Sequence, residues 1–570
     1  MLPTFVRWIA LPFVTTVTLS AQIVGGVTGG VIGGSRTPSQ APAAPGSATL
    51  RGHVFAADTS QPLRKAQVRI FAGEIGENRM ASTDEHGGYE FNEVRAGRYT
   101  ISASKGSYVS VSYGQQRPGD APKPLEILDN QTVERVDLTL PRGSVITGRI
   151  VDEYGEPAPE IQVAAQRYLF IQGQRRLVPT GRTASTNDLG DFRLFGIPPG
   201  QYYISATWRN TNAGNPNGST SDRTGYAPTY FPGTTNASDA QRITLAAGQE
   251  LDDLVMILKP IKAARVTGTA TGSDGKPLTP AMIMVTQSNG FGFSVPSVAP
   301  VRPDGTFTIS GLAPDEYTLR AQRMGGAPGE GPETAMTTLT VTGEDIPNVH
   351  LVAAKPSTLT GRIIVDPAAP QSLPPGLTIS AVPATIIGIP APPPPPARVS
   401  DDYSFEMKAT PGRMRITLGG GFNAPPTGWS VRSVRLNGVD VTDTGIEFKP
   451  NEDISGVDVE LTNRLTSLSG LVTNGRNELS MDYTAIVFAQ DKDRWTGNSR
   501  YQGTGRPDQD GRFKISGLPP GDYYIVAVDR IESGESSDPD FLESLRSRAT
   551  SLSLSEGETK TVDLRLNSAR

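Results

Sequence analysis

The stretch of this 570-residue chain most like a metal loop is "DQDG", Asp508 to Gly511. Two carboxylates stand just ahead of a glycine, as at the head of a helix–loop–helix calcium site. Such a site needs oxygen ligands through its twelfth position, where a bidentate carboxylate closes it. Counting from Asp508, that position is Pro519, which has no side-chain ligand. Sister turns at "DEHGG", "NDLGD" and "RPDGT" keep a polar residue and a glycine but no ligand set. Asp and Asn in such turns bond their own backbone while Gly supplies a positive φ. These turns are therefore read as hairpins, with no metal and no cofactor.

Other reactive residue types are sparse. There is no cysteine, which removes disulfides, thiolate catalysis and Cys-ligated zinc. The three histidines, His53, His86 and His350, form no H-E-x-x-H or similar spacing. No G-x-S-x-G elbow occurs, and "GSDGKP" at Gly272 only approaches a phosphate loop before ending in proline. Acidic pairs such as Asp252-Asp253 and Asp401-Asp402 read as solvated turn or strand residues. The expectation is a protein that is not an enzyme. Aromatics offer the remaining chemistry, because a sugar ring needs a flat exposed face beside a few hydrogen-bonding groups. The candidate ligand-binding residues are Trp208, Trp495, and Tyr226, Tyr230 and Phe231 in "YAPTYFPG", with Trp429 a further tryptophan of the same type. Core packing is the competing use for all of them. Two prolines keep "YAPTYFPG" from being an ordinary central strand.

The elements that must position these residues follow from composition and pattern. Sixty-two glycines and 48 prolines make about 19% of the chain, above the roughly 12% of average usage. They fall between alternating apolar segments, which predicts an all-β chain rich in turns. The net charge of −5 and the lack of a Lys/Arg run exclude a nucleic-acid partner. At the N-terminus one arginine, an apolar run and small residues at Ser20-Ala21 read as a secretory signal cleaved after Ala21. "GGVTGGVIGG" next to it spaces glycines as a packed membrane helix does, so a membrane span is expected only if this segment is retained. The protein is exported in either case: periplasmic, outer-surface or secreted.

The dominant feature is repetition. The turn at Asp508 opens "DQDGRFKISGLPPGDYYIVA", whose relatives begin at Asp84, Asn187, Pro303 and, in worn form, Asp401. Each reads as turn, strand, Gly/Pro turn, strand, headed by Tyr89, Phe192, Phe307, Phe405 or Phe513. Upstream of each lies a strand with a glycine, as in "LRGHV", "ITGRIV" and "LSGLV"; downstream lies a closing hairpin such as "LSLSEGETKTVDLRL". About seven short strands per copy is sandwich arithmetic. The one convincing helix is "DFLESLRSRA".

These signatures resemble the carboxypeptidase regulatory-like domain, a transthyretin-like sandwich. The resemblance implies five tandem immunoglobulin/transthyretin-like β-sandwich domains arranged as a jointed rod, on the order of 170 Å end to end. The expected divisions are a signal peptide 1–21, a Gly/Pro-rich leader 22–47, and sandwiches at 48–142, 143–259, 260–354, 355–463 and 464–570. The fourth is looser, with Met414 where the others carry tyrosine and "APPPPPA" interrupting it. Such sandwiches are also similar to starch-binding-like domains. The implied function is a non-enzymatic binding protein at a bacterial cell surface. A polysaccharide or another cell-envelope component is the expected partner. The alternative is a spacer or adhesive rod recognising proteins through loops and edges.

Overall fold

The computed structural model describes residues 45–568 apart from 118, 172–173, 209–223, 288–296, 326–331, 367–372, 374–375, 385–395, 420–427, 498 and 533. The signal segment, most of the leader and most of the proline run at 391–397 lie outside the described residues. The chain is an all-β array of small sheets paired into sandwiches. Five apolar cores follow one another along it, represented by Leu50 and Tyr99, Ile146 and Tyr202, Val266 and Phe307, Leu359 and Phe405, and Leu468 and Phe513.

One pairing recurs in every sandwich and explains the repeated glycine. The glycine-bearing strand lies between the strand headed by the aromatic, antiparallel to it, and the closing strand, parallel to it. Gly52, Gly148, Gly268, Gly361 and Gly470 stand directly opposite Tyr89, Phe192, Phe307, Phe405 and Phe513. A Cβ on Gly268 would lie 2.8 Å from the Val349 carbonyl carbon and 2.7 Å from the Phe307 ring. On Gly361 it would lie 2.7 Å from the Phe405 ring. The aromatic thus lies over the bare backbone of its partner, and the closing strand approaches from the other side. Only glycine leaves room for both.

A second device fastens the Gly/Pro turn. Tyr99, Tyr202 and Tyr523, all fully buried, donate their hydroxyls to the carbonyls of Arg95, Pro198 and Pro519 at 2.9, 2.7 and 2.6 Å. Met414 fills the corresponding place in the fourth sandwich with apolar volume alone.

The fifth sandwich carries an added layer. All six residues of the strand Thr484–Ala489 are buried. Ala485 and Val487 face the sandwich core, while Ile486 and Phe488 face a second cluster under the helix Pro539–Arg546. Asp538 caps that helix by accepting from Asp540 N, and Pro539 suits its first turn. Phe541, Leu542 and Leu545 form its buried face. A strand covered on both faces reads as a continuous apolar run, which "TAIVFA" is.

Sandwiches distant in sequence also touch, which corrects the end-to-end part of the rod expectation. Lys123 of the first donates to the Met481 carbonyl of the fifth, and Arg98 to that of Lys514. Gln509 bonds Glu126 through both backbone groups, 383 residues away. A Cβ on Gly534 would meet the backbone of Phe170, at the tip of the long hairpin of the second sandwich. Units strung only end to end would make none of these contacts.

Candidate functional site

The metal-like turn at Asp508 is occupied by its own backbone. Asp508 Oδ1 accepts from Asp510 N at 3.0 Å and Arg512 N at 2.9 Å, and Gly511 adopts φ 77°. Asp84 and Asn187 repeat the pattern with two N–H groups each. The backbone donors of Gly88 and His86 hold the Asp84 carboxyl below the usual range. Among the described residues, no group of three or more His, Asp or Glu side chains is placed to hold a metal ion. Gln509, the residue between the two aspartates, uses its amide to pair with the edge strand Leu125–Ile127 of the first sandwich. The turn is a joint between sandwiches, which the sequence did not signal.

The aromatic candidates separate into three places. Trp208 and Tyr226 meet edge to face, with ring centroids 6.3 Å apart and planes at 90°, and both pack against the second core. The Tyr226 hydroxyl donates to Glu153 Oε2 at 3.0 Å; burial first, then that bond, push its pKa up to about 12. Tyr230 follows on a separate short strand, Thr229–Tyr230, that pairs with Gly200–Trp208, and Phe231 opens the turn after it. Both are half-buried, and Phe231 also packs on the core. "YAPTYFPG" thus folds as two short strands, Thr224–Tyr226 and Thr229–Tyr230, separated by Ala227-Pro228. Trp495 requires a correction. It is buried between the helix and the fifth sandwich, donates Nε1 to the Ala489 carbonyl at 2.7 Å, and stands edge-on to Phe488. It is a core residue because the strand beneath it is covered on both faces.

A cleft of mixed chemistry lies where the fourth and fifth sandwiches meet. It measures about 730 Å³ and is walled on one side by Trp429, Leu418 and Val431 and on the other by Leu518, Pro519 and Tyr501. Arg500 forks onto Asp443 with Nε–Oδ1 2.8 Å and Nη2–Oδ2 3.2 Å, a bond made across the junction. Its third nitrogen donates to the carbonyls of Val431 and Arg432. Arg432 reaches back to Glu556 Oε2 at 3.1 Å. Burial lowers the pKa of Arg415, with the Asp443 charge opposing and that of Arg500 reinforcing the shift. Sequence reasoning picked out Trp429 but missed Arg415, Asp443, Arg500 and Glu556, which come from separate strands and loops of two sandwiches.

Residues 49–141 match the carboxypeptidase regulatory-like domain and form a domain of that family. The other sandwiches are not assigned by a family model. No curated protein matches the chain. Among solved structures, a streptococcal ancillary pilin is similar at 14% identity and TM-score 0.18, over 54% of this chain and 98% of that one. The Bacillus anthracis TIE protein is similar at 12% identity and TM-score 0.14, over 82% and 72% of the two chains. The minor pilin of Streptococcus agalactiae gives 15%, 0.18, 40% and 100%. These likenesses carry no assignment of function.

Proposed function

We propose that the protein is an exported, non-enzymatic scaffold of the bacterial cell surface that presents sandwich loops and edges to other envelope molecules. The observation that supports this most is how the best chemical residues are used. Asp508 holds its own turn, Gln509 and Lys123 tie the fifth sandwich to the first, and Trp495 fills a core. Side chains spent on fixing sandwiches to one another suit a load-bearing or spacing role. Polysaccharide binding by the second sandwich is the second reading. It needs a flat exposed platform, and the perpendicular Trp208–Tyr226 pair, with Tyr226 held by Glu153, weighs against one.

Co-sedimentation of the mature protein with purified envelope fragments tests the two readings. Retention that is lost when the fragments are first treated with protease supports a protein-recognising scaffold. Retention that survives protease but is lost both after glycan digestion and in Tyr230→Ala would shift the assignment to the polysaccharide reading of the second sandwich. No retention on any fragment contradicts both.

A further inference from the structure

We propose that the cleft between the fourth and fifth sandwiches binds a short saccharide segment, independently of the scaffold role. Its size falls within the roughly 300–1,000 Å³ of small-molecule sites. Its chemistry is paired rather than one-signed. Guanidinium donors and carboxylate acceptors stand together as Arg500 with Asp443 and Arg432 with Glu556. The Tyr501 hydroxyl adds a third group on Asp443 at 3.3 Å. A simple anion would want donors alone and a simple cation acceptors alone. Adjacent hydroxyl groups, each donating and accepting, match neighbouring donor and acceptor pairs. The lining also includes apolar groups, with the half-buried Trp429 indole and Pro519-Pro520 available to the C–H face of a ring.

One atom points to the missing partner. Glu556 Oε1 is buried and has no hydrogen bond among the described residues, although Oε2 of the same carboxylate is held by Arg432. A buried carboxylate oxygen left unpaired is costly, and a rotation of the partly exposed Glu556 carboxylate toward the cleft would let a ligand hydroxyl satisfy it. Because the pairs bridge two sandwiches, a bound saccharide would also fix the junction.

The test is isothermal titration of the full mature chain with cellohexaose, xylohexaose, laminarihexaose and hexagalacturonate, the last separating acidic from neutral sugars. At least one is expected to bind with Kd below about 1 mM. Trp429→Ala and Glu556→Gln should each weaken that binding about tenfold or more, with the far-ultraviolet circular dichroism of Glu556→Gln matching that of the parent. Met336→Ala, exposed on the third sandwich and outside the cleft, should bind as the parent does. The proposal is overturned if no oligosaccharide binds, or if Glu556→Gln folds and binds with unchanged affinity. Binding of a proline-rich peptide with no oligosaccharide bound would assign the cleft to a protein partner and overturn it equally.

Discussion

A single methyl group added at Gly470 tests why every sandwich keeps a glycine in its first strand. A Cβ there would stand 2.7 Å from the Val562 carbonyl carbon and 3.0 Å from the Phe513 ring, with the Val562 oxygen closer still. Gly470 is not in the left-handed region, so backbone strain plays no part and the cost is steric. The carbonyl belongs to the closing strand region, which pairs in parallel with Ser467–Thr473, and it cannot rotate away as a side-chain tip could. Overpacking a filled core costs about 1–3 kcal/mol, and an obstacle made of backbone puts Gly470→Ala near the top, at about 3 kcal/mol. For a unit of about 100 residues, that lowers the melting temperature by roughly 15 °C. Gly475→Ala in the following turn is the control, since a Cβ there meets nothing within 4 Å. It should leave stability unchanged or raise it by about 0.5 kcal/mol. Differential scanning calorimetry of both variants, read on the transition of the fifth sandwich, decides. If the two alanine variants melt alike, the close-approach explanation of the repeated glycine is wrong.

Trp495→Ala should destabilise the fifth sandwich by about 3–5 kcal/mol in denaturant unfolding, as for other large buried aromatics, and a loss under 1 kcal/mol would return Trp495 to the surface. Tyr202→Phe removes the hydroxyl that meets the Pro198 carbonyl and should cost about 1–2 kcal/mol by the same measurement. The Asp84, Asp304 and Asp402 carboxyls are held low chiefly by turn hydrogen bonds from Gly88, Thr306 and Ser404. Their folded pKa values lie below the unfolded value, so their contribution is present above about pH 4 and is lost as pH falls through the folded values. Carboxyl carbon NMR titration should find all three below about 3.9, and an ordinary value at any of them removes that turn's contribution. Millimolar calcium or EDTA should leave the melting temperature unchanged, whereas a rise of several degrees with calcium would make the Asp508 turn a metal site.

The fold was legible because each copy repeats the same physical compromise. Alternation marked the strands, and the glycine and aromatic that signalled the repeat prove to face one another in register. Tyr523 and Pro519, four residues apart, were legible as a strand and its turn, though not as a hydrogen-bonded pair. Trp495 was misread as a surface candidate. "TAIVFA" carried the signal, since an unbroken apolar run means cover on both faces, and the short helix was available to provide it. The junction cleft had no such signal. Arg415, Trp429, Asp443, Arg500 and Glu556 lie on different strands and loops of two sandwiches, and only the way the two meet brings them together. Gln509 is the same case: its neighbours define a turn, but its partner Glu126 lies in the first sandwich.

The central claim, an exported scaffold at the cell surface, is tested most directly on intact cells carrying the full-length chain. Added protease and antibody against the fifth sandwich should reach the protein without lysis, and the intact mass should begin at Gln22, after removal of the segment ending at Ala21. Protein that retains Met1 and stays protected until the cells are broken open would contradict the claim.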